Sequence, residues 1–116
     1  MTDWPAVIRY DGDDELTVIG SDAEWRRDAD QHLYGLTGGD VLIDSSGRIF
    51  TLDQTDGGEI HAADSGTVIS LHDFIRLVRI HASTSHRCCI EKIGFRTVAE
   101  GIRLVASMNE QDREQV

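Results

Sequence analysis

Four carboxylates near the start of the chain are the residues best suited to bind a cation. They are Asp11, Asp13, Asp14 and Glu15. Asp11, Asp13 and Glu15 alternate along the chain as the first three ligands of a calcium loop do. The sixth position of that loop should be glycine and is Leu16, and the twelfth should be glutamate and is Asp22. The pattern therefore favours a solvated acidic hairpin tip over a metal site.

The softer metal ligands are gathered in one stretch, which contains His81, His86, Cys88 and Cys89. The two histidines are five positions apart and would not share a helix face, and adjacent cysteines of a strand point to opposite sides. The spacing fits none of the usual zinc patterns, and adjacent cysteines form only a strained disulfide. We expect reduced, buried thiols, no metal and no other cofactor.

Patterns typical of catalysis are missing from the sequence. It has no Gly-x-Ser-x-Gly elbow, and the Gly-Gly pairs at 38–39 and 57–58 lack the Lys-Ser/Thr of a phosphate-binding loop. His72 and Asp73 are neighbours on a predicted helix, where adjacent side chains diverge. We predict no catalytic residue, which favours a protein that is not an enzyme.

The charge of the chain is negative and uneven. Residues 1–73 hold 16 acidic and 4 basic residues, whereas residues 74–116 hold 5 and 7, for a net charge of −10. Such a balance repels nucleic acid and anionic membranes. No apolar stretch approaches the ~20 residues of a membrane span, and the N-terminus does not read as a secretory signal, so we expect a cytoplasmic protein.

The basic residues of the second part have two interpretations. They either pair with carboxylates of the first part or form a docking site for an acidic partner. The bases in question are Arg76, Arg79, Arg87, Lys92, Arg96 and Arg103. Arginine suits both roles because its guanidinium pairs with carboxylates through two hydrogen bonds.

Hydrophobic periodicity and turn residues predict a single domain over residues 1–116. The predicted elements are a hairpin (5–10 and 16–19), a helix (22–33), two hairpins (38–52 and 57–71), an amphipathic helix (71–84), a short strand (88–93), a helix (97–108) and a frayed tail (109–116). Helices begin at the capping residues Ser21, Ser70 and Thr97. The order predicts an α+β fold, in which about three helices pack on a mostly antiparallel sheet made of two hairpins plus a meander.

The two central hairpins are predicted from an internal echo. Residues 38–52 and 57–71 share five of fifteen aligned positions, including Ser46-Gly47 and Ser65-Gly66. A Ser-Gly pair between apolar runs is typical of a hairpin turn. Each copy therefore predicts two strands.

Two segments of the chain resemble a small family of uncharacterised bacterial proteins of similar length. They are Trp-Pro-Ala-Val-Ile-Arg-Tyr-Asp-Gly-Asp-Asp-Glu-Leu at 4–16 and Leu-Ile-Asp-Ser-Ser-Gly at 42–47. The resemblance implies a bacterial, single-domain protein. Because that family has no assigned activity, the resemblance implies no catalytic residue and no mechanism.

Two functions remain open from the sequence. The first is a non-enzymatic binding module whose acids at 11–15, 22–30 and 53–64 dock a basic partner surface, with Trp4 as a partner or dimer anchor. The second is a small enzyme or ligand binder with a cleft near His61, Asp64 and His72, because His61 and Asp64 break the apolar pattern of the weaker hairpin. Homodimerisation is a further prediction, through Trp4 or through the Pro5 strand as a sheet edge.

Overall fold

Five antiparallel strands and three α-helices make up the part of the chain that the computed structural model describes, residues 2–32, 39–54, 60–84 and 90–114. The α+β fold is confirmed. In chain order the elements are β1 (Ala6–Arg9), β2 (Leu16–Ile19), α1 (Asp22–His32), β3 (Val41–Ile43), β4 (Arg48–Gln54), β5 (Ile60–Val68), α2 (Leu71–Thr84), a short 3-10 helix (Ile90–Lys92) and α3 (Val98–Glu114).

The strand that follows Pro5 lies inside the sheet, not at its edge. The strand order is β2-β1-β3-β4-β5, and Val7 of β1 is opposite Val18 on one side and Ile43 on the other. The expectation that the Pro5 strand forms an edge is therefore wrong. Pro5 is compatible with this position because it precedes the first paired residue, Ala6, so its missing N–H lies outside the ladder.

Both faces of the sheet are covered by apolar side chains. Val7 and Ile43 point to one face and join Phe74 of α2 and Ile102 of α3 in a buried cluster. Alternate residues of the same strands point to the other face and form a second cluster, against which Trp25 of α1 packs. The alternation of side chains along a strand therefore places α2 and α3 on one side of the sheet and the side chain of Trp25 on the other.

The second predicted hairpin is wrong, because the chain does not turn at Ser65-Gly66. Ile49 of β4 pairs with Thr67, and the next residue, Phe50, pairs with Asp64, so Ser65 and Gly66 have no opposite residue. They form a bulge in which Gly66 has a φ of 80°, a conformation that glycine adopts at low cost. The Ser65 hydroxyl donates a hydrogen bond to the Ile49 carbonyl at 2.6 Å, which holds the bulge against β4. The four strands predicted over 38–71 are therefore three, β3, β4 and β5, which form a meander.

The three helix starts lie where the capping residues predict. Hydroxyl oxygens of Ser21, Ser70 and Thr97 each accept a backbone N–H three residues ahead, at 3.1 Å. The first two helices end at His32 and Thr84, close to the predicted residues 33 and 84. The third helix continues to Glu114 instead of ending near residue 108.

The short strand predicted over 88–93 is wrong where the structure describes it. Residues Ile90–Lys92 form a 3-10 helix in which the Ile93 N–H donates to the Ile90 carbonyl at 3.0 Å. The Arg79 Nε of α2 donates to the Ile93 carbonyl at 3.0 Å. This carbonyl is therefore bonded by a side chain and not by the backbone of a neighbouring strand. Residues 88 and 89 lie outside the described residues.

Candidate functional site

The acidic tip, residues 11–15 between β1 and β2, is a hydrogen-bonded turn. The Asp13 N–H donates to the Tyr10 carbonyl at 3.0 Å, and the Glu15 N–H donates to Oδ1 of Asp13 at 2.9 Å. Gly12 takes the left-handed φ of 79° that a tight turn needs. All five residues of the tip are exposed, so its carboxylates point towards solvent from a defined backbone.

A buried carboxylate supports this tip from below. Oδ1 of Asp40, a buried residue just before β3, accepts the Asp11 N–H at 2.6 Å. Gly39 approaches Asp11 so closely that a Cβ added to the glycine would lie 2.7 Å from Cγ of Asp11. The pKa of Tyr10 is raised, first by burial and then by the negative charges of Asp40 and Asp13. The neighbourhood of the tip therefore carries a negative potential.

The tip carboxylates are not neutralised within the described part of the chain. Neither Asp11 nor Asp13 lies within ion-pair distance of an arginine or lysine there, and the same holds for Asp14 and Glu15. An ion pair does form further along the chain, between Arg26 and Asp22 at 3.0 Å on the surface of α1.

The geometry of the described residues places no metal centre. Among them, no three histidine, cysteine, aspartate or glutamate side chains come together in a way that could hold a metal ion. His86, Cys88 and Cys89 lie outside the described residues. Nδ1 of His81 accepts the Leu16 N–H at 2.9 Å and its Nε2 lies 3.1 Å from Oδ1 of Asn109, so this buried imidazole joins β2, α2 and α3.

The three residues of the predicted ligand cleft are not brought into one site. His61 is opposite Asp53 and Asp64 is opposite Phe50, and an odd separation along a strand places His61 and Asp64 on opposite faces of the sheet. His72 is exposed in the first turn of α2. None of the three lines either of the two clefts described below.

Trp4 packs against the protein itself. Its ring centroid lies 6.4 Å from that of Trp25, with the rings tilted by 35°, and the side chain is half-buried beside the second core cluster. This contact fastens α1 to the segment that precedes β1. The indole is thus already engaged in an intramolecular contact.

Sequence reasoning overlooked the role of Asp44, which is fully buried. Its Oδ1 accepts the N–H groups of Ser46 and Arg48 at 3.0 and 2.9 Å and the Ser46 hydroxyl at 2.6 Å. Its Oδ2 accepts the Asp3 N–H at 3.0 Å. An aspartate that starts an Asp-Ser-Ser-Gly turn is a recognisable signal for such bonding. Asp44 is a structural residue that ties the N-terminal segment to the β3–β4 turn.

A groove between α2 and the sheet was also not predicted. It has a volume of about 360 Å³ and is lined by Arg9, Ile69, Asp73, Arg76, Leu77 and Ile80. Leu77 and Ile80 are apolar residues of the helix that the sequence predicts to be amphipathic over 71–84. A second cleft of about 170 Å³ lies between β2, α1 and α3 and is lined by Val18, Gly20, Glu24, Ala106, Asn109 and Glu110.

The chain matches the model of a known protein family over most of its length. The model of DUF4144, described as a protein structure with unknown function, matches residues 4–105. The chain belongs to this family. The match covers the acidic tip, the groove and, apart from Met108, both core clusters of this DUF4144 protein.

One solved structure is similar to this DUF4144 protein over most of its length. It is the NMR structure of a protein from Shewanella amazonensis, with a TM-score of 0.67 and 24% identity over 92% of this chain and 90% of that chain. At this identity the likeness establishes the fold. No curated protein matches the chain. None of the helices in the described residues of the DUF4144 protein is long and apolar enough to cross a membrane.

Proposed function

We propose that this protein is a non-enzymatic binding module that docks a basic surface of a protein partner through its acidic tip. The observation that carries the proposal is the exposure of Asp11, Asp13, Asp14 and Glu15 without an ion pair in the described part of the chain. Four carboxylates on one short turn form a concentrated negative surface. That surface complements clustered lysine or arginine side chains.

The backbone of the tip supports this role. The bonds from Asp13 to Tyr10 and from Asp11 to Asp40 hold the turn before any partner arrives. Less conformational entropy is lost when a preorganised loop binds. Exposed ion pairs add about 0–1 kcal/mol each, so we expect the tip to act mainly through faster association and partner choice.

A ligand-binding or enzymatic role near His61, Asp64 and His72 has less support. His61 and Asp64 lie on opposite faces of the sheet, so a single small ligand would not contact both. Homodimerisation stays a prediction, and we propose the cytoplasm as the place where the binding module acts.

The test is capture of partners from a bacterial lysate, followed by binding measurements with the purified partner. The tip variant carries Asp13→Asn, Asp14→Asn and Glu15→Gln, and Asp13→Asn keeps the oxygen that accepts the Glu15 N–H. The control variant loses the same charge at three exposed positions outside the predicted acidic docking segments, through Asp3→Asn, Glu100→Gln and Glu110→Gln.

We expect a basic partner that the wild type and the control variant retain and the tip variant loses. The rate at which this partner associates with the wild type should fall about tenfold or more as the salt concentration rises from 50 to 500 mM, because salt screens exposed charges. Equal retention by the tip and control variants would show that the tip is not the docking surface.

A further inference from the structure

We propose that the groove between α2 and the sheet is a second docking site, which takes a large apolar side chain flanked by carboxylates on a protein partner. This surface is separate from the acidic tip and has the opposite charge. The proposal therefore does not depend on the function proposed for the tip. It assigns a role to Arg9, Arg76 and Ile80.

The floor of the groove is apolar and partly open. Ile69, Leu77 and Ile80 line it, and Ile80 keeps 40% of its surface exposed. Among the described residues, Val68 is the other large apolar side chain with comparable exposure, at 65%. A volume of about 360 Å³ is at the lower end of the range for ligand pockets, about 300–1,000 Å³. Such a volume suits one or two inserted side chains.

Two arginines give the groove its charge. Arg9 extends from β1 and Arg76 from α2, both are exposed, and neither forms an ion pair with any residue that the structure describes. Asp73 lies one turn before Arg76 on the same lining, but the two are too far apart for an ion pair. The lining is thus positive in a protein whose net charge is −10.

Two guanidinium groups that form no ion pair with a described residue lie beside an apolar floor, and together they define the chemistry of the occupant. Arginine pairs with carboxylates through two parallel hydrogen bonds, and such pairs strengthen where water is partly excluded. A buried apolar anchor supplies most of the affinity in protein interfaces, while charges at the rim set partner choice. A segment with leucine or phenylalanine between glutamates or aspartates satisfies both requirements.

A second copy of this chain fits these requirements poorly. Its acidic tip is Asp-Gly-Asp-Asp-Glu, which has no apolar side chain, and the Leu16 that follows is buried in the core. The exposed Val68 is preceded by a single acid within four residues, Asp64. Charge complementarity alone would attract the tip, but no apolar anchor would enter the groove. We therefore assign the groove to a different protein.

The test is an NMR titration of the full-length, 15N-labelled protein with a hexapeptide that has leucine and phenylalanine at its centre and two glutamates on each side. We expect saturable amide shifts at Arg9 and along Ile69–Ile80, with a dissociation constant on the order of 1 mM for so short a segment. A hexapeptide with lysines in place of the glutamates should cause no such shifts.

Matched variants separate the groove from general charge effects. Arg76→Glu should weaken peptide binding about tenfold or more, and Arg76→Gln should weaken it less. Arg103→Glu makes the same charge change at an exposed position of α3 and should leave the affinity within about twofold. Ile80→Ser tests the apolar floor without changing charge. The amide spectrum of each free variant shows whether it is folded.

Three outcomes of the titration would overturn the proposal: equal weakening by Arg76→Glu and Arg103→Glu, binding of the lysine hexapeptide, or shifts located elsewhere. A concentration-dependent dimer in sedimentation that Arg76→Glu dissociates would identify a second copy as the occupant, which also contradicts it. The tip variant with Asp13→Asn, Asp14→Asn and Glu15→Gln should still bind the acidic hexapeptide. Failure of the groove and failure of the tip are therefore distinguishable.

Discussion

The backbone N–H of Leu16 donates a hydrogen bond to Nδ1 of His81 at 2.9 Å, across 65 positions of the chain. With Nδ1 as acceptor, the proton of the neutral ring lies on Nε2, which donates to Oδ1 of Asn109 at 3.1 Å. The amide of Asn109 in turn approaches the Leu16 carbonyl at 3.5 Å. Three elements thus share one polar contact inside an otherwise apolar core.

Replacement of His81 by leucine should destabilise the fold strongly. His81→Leu leaves the buried Leu16 N–H without its acceptor, and we expect a loss of about 2–4 kcal/mol in the free energy of unfolding. His72→Leu on the exposed side of the same helix should change it by less than about 0.5 kcal/mol. Urea unfolding followed by circular dichroism measures both, and similar values for the two variants would contradict this account.

Asp44 should be as important to stability as a core hydrophobic residue. Asp44→Ala removes the acceptor for three backbone N–H groups, those of Asp3, Ser46 and Arg48. We expect a loss of about 3–5 kcal/mol, and a smaller loss for Asp44→Asn, which keeps one side-chain oxygen. Asp53→Ala, an exposed aspartate of β4, serves as the control in the same thermal or urea unfolding experiment. A cost below 1 kcal/mol for Asp44→Ala would be inconsistent with its bonding.

The environment of Tyr10 leads us to expect that the free energy of unfolding falls at alkaline pH. Burial, then the charge of Asp40, then that of Asp13 raise the pKa of Tyr10 above the value of 10.0 of an isolated tyrosine. The unfolded chain therefore releases this proton more easily than the folded protein does. The contribution of Tyr10 is fully present below about pH 10 and is lost as the pH rises through the folded pKa.

The measurement is the free energy of unfolding of the wild type and of Tyr10→Phe between pH 8 and pH 11. The stability of the variant relative to the wild type should rise above pH 10, because phenylalanine does not titrate. Parallel pH profiles for the two proteins would show that Tyr10 titrates equally in the folded and unfolded states.

Gly101 should resist replacement even though it lies inside a helix. A Cβ at this position would lie 2.5 Å from Cζ of Phe95 and 2.7 Å from Cε2 of Phe74. Alanine stabilises a helix by about 1 kcal/mol relative to glycine. We expect the overpacking of the added methyl group to destabilise the fold by about 1–3 kcal/mol and to exceed this gain. Gly101→Ala should therefore lower the melting temperature.

Gly94 provides the matched control for that substitution. An added Cβ there meets no atom within 4 Å, so Gly94→Ala should leave the melting temperature within a few degrees of the wild type. A stabilising Gly101→Ala would show that the two phenylalanine rings move aside at little cost.

Sequence reasoning succeeded where the signal is local. The hydroxyls of Ser21, Ser70 and Thr97 cap helices because the N–H groups that they accept lie three positions away. It failed at Ser65-Gly66, because the same dipeptide suits a turn and a bulge. The choice between them depends on β4. A turn at Ser65-Gly66 would end β5 near Asp64, but β4 continues to pair with β5 as far as Val68, so the dipeptide forms a bulge.

The sequence by itself determined the acidic tip, the α+β class and the starts of the three helices, because each depends on neighbouring residues. Tertiary structure alone decided that β1 is internal, that His61 and Asp64 face away from each other, and that Asp44 and His81 are buried acceptors. It also brought Arg9 and Arg76 to the same groove from distant positions of the chain. Pairing partners and burial depend on which distant surfaces pack together, and a local pattern does not contain that information.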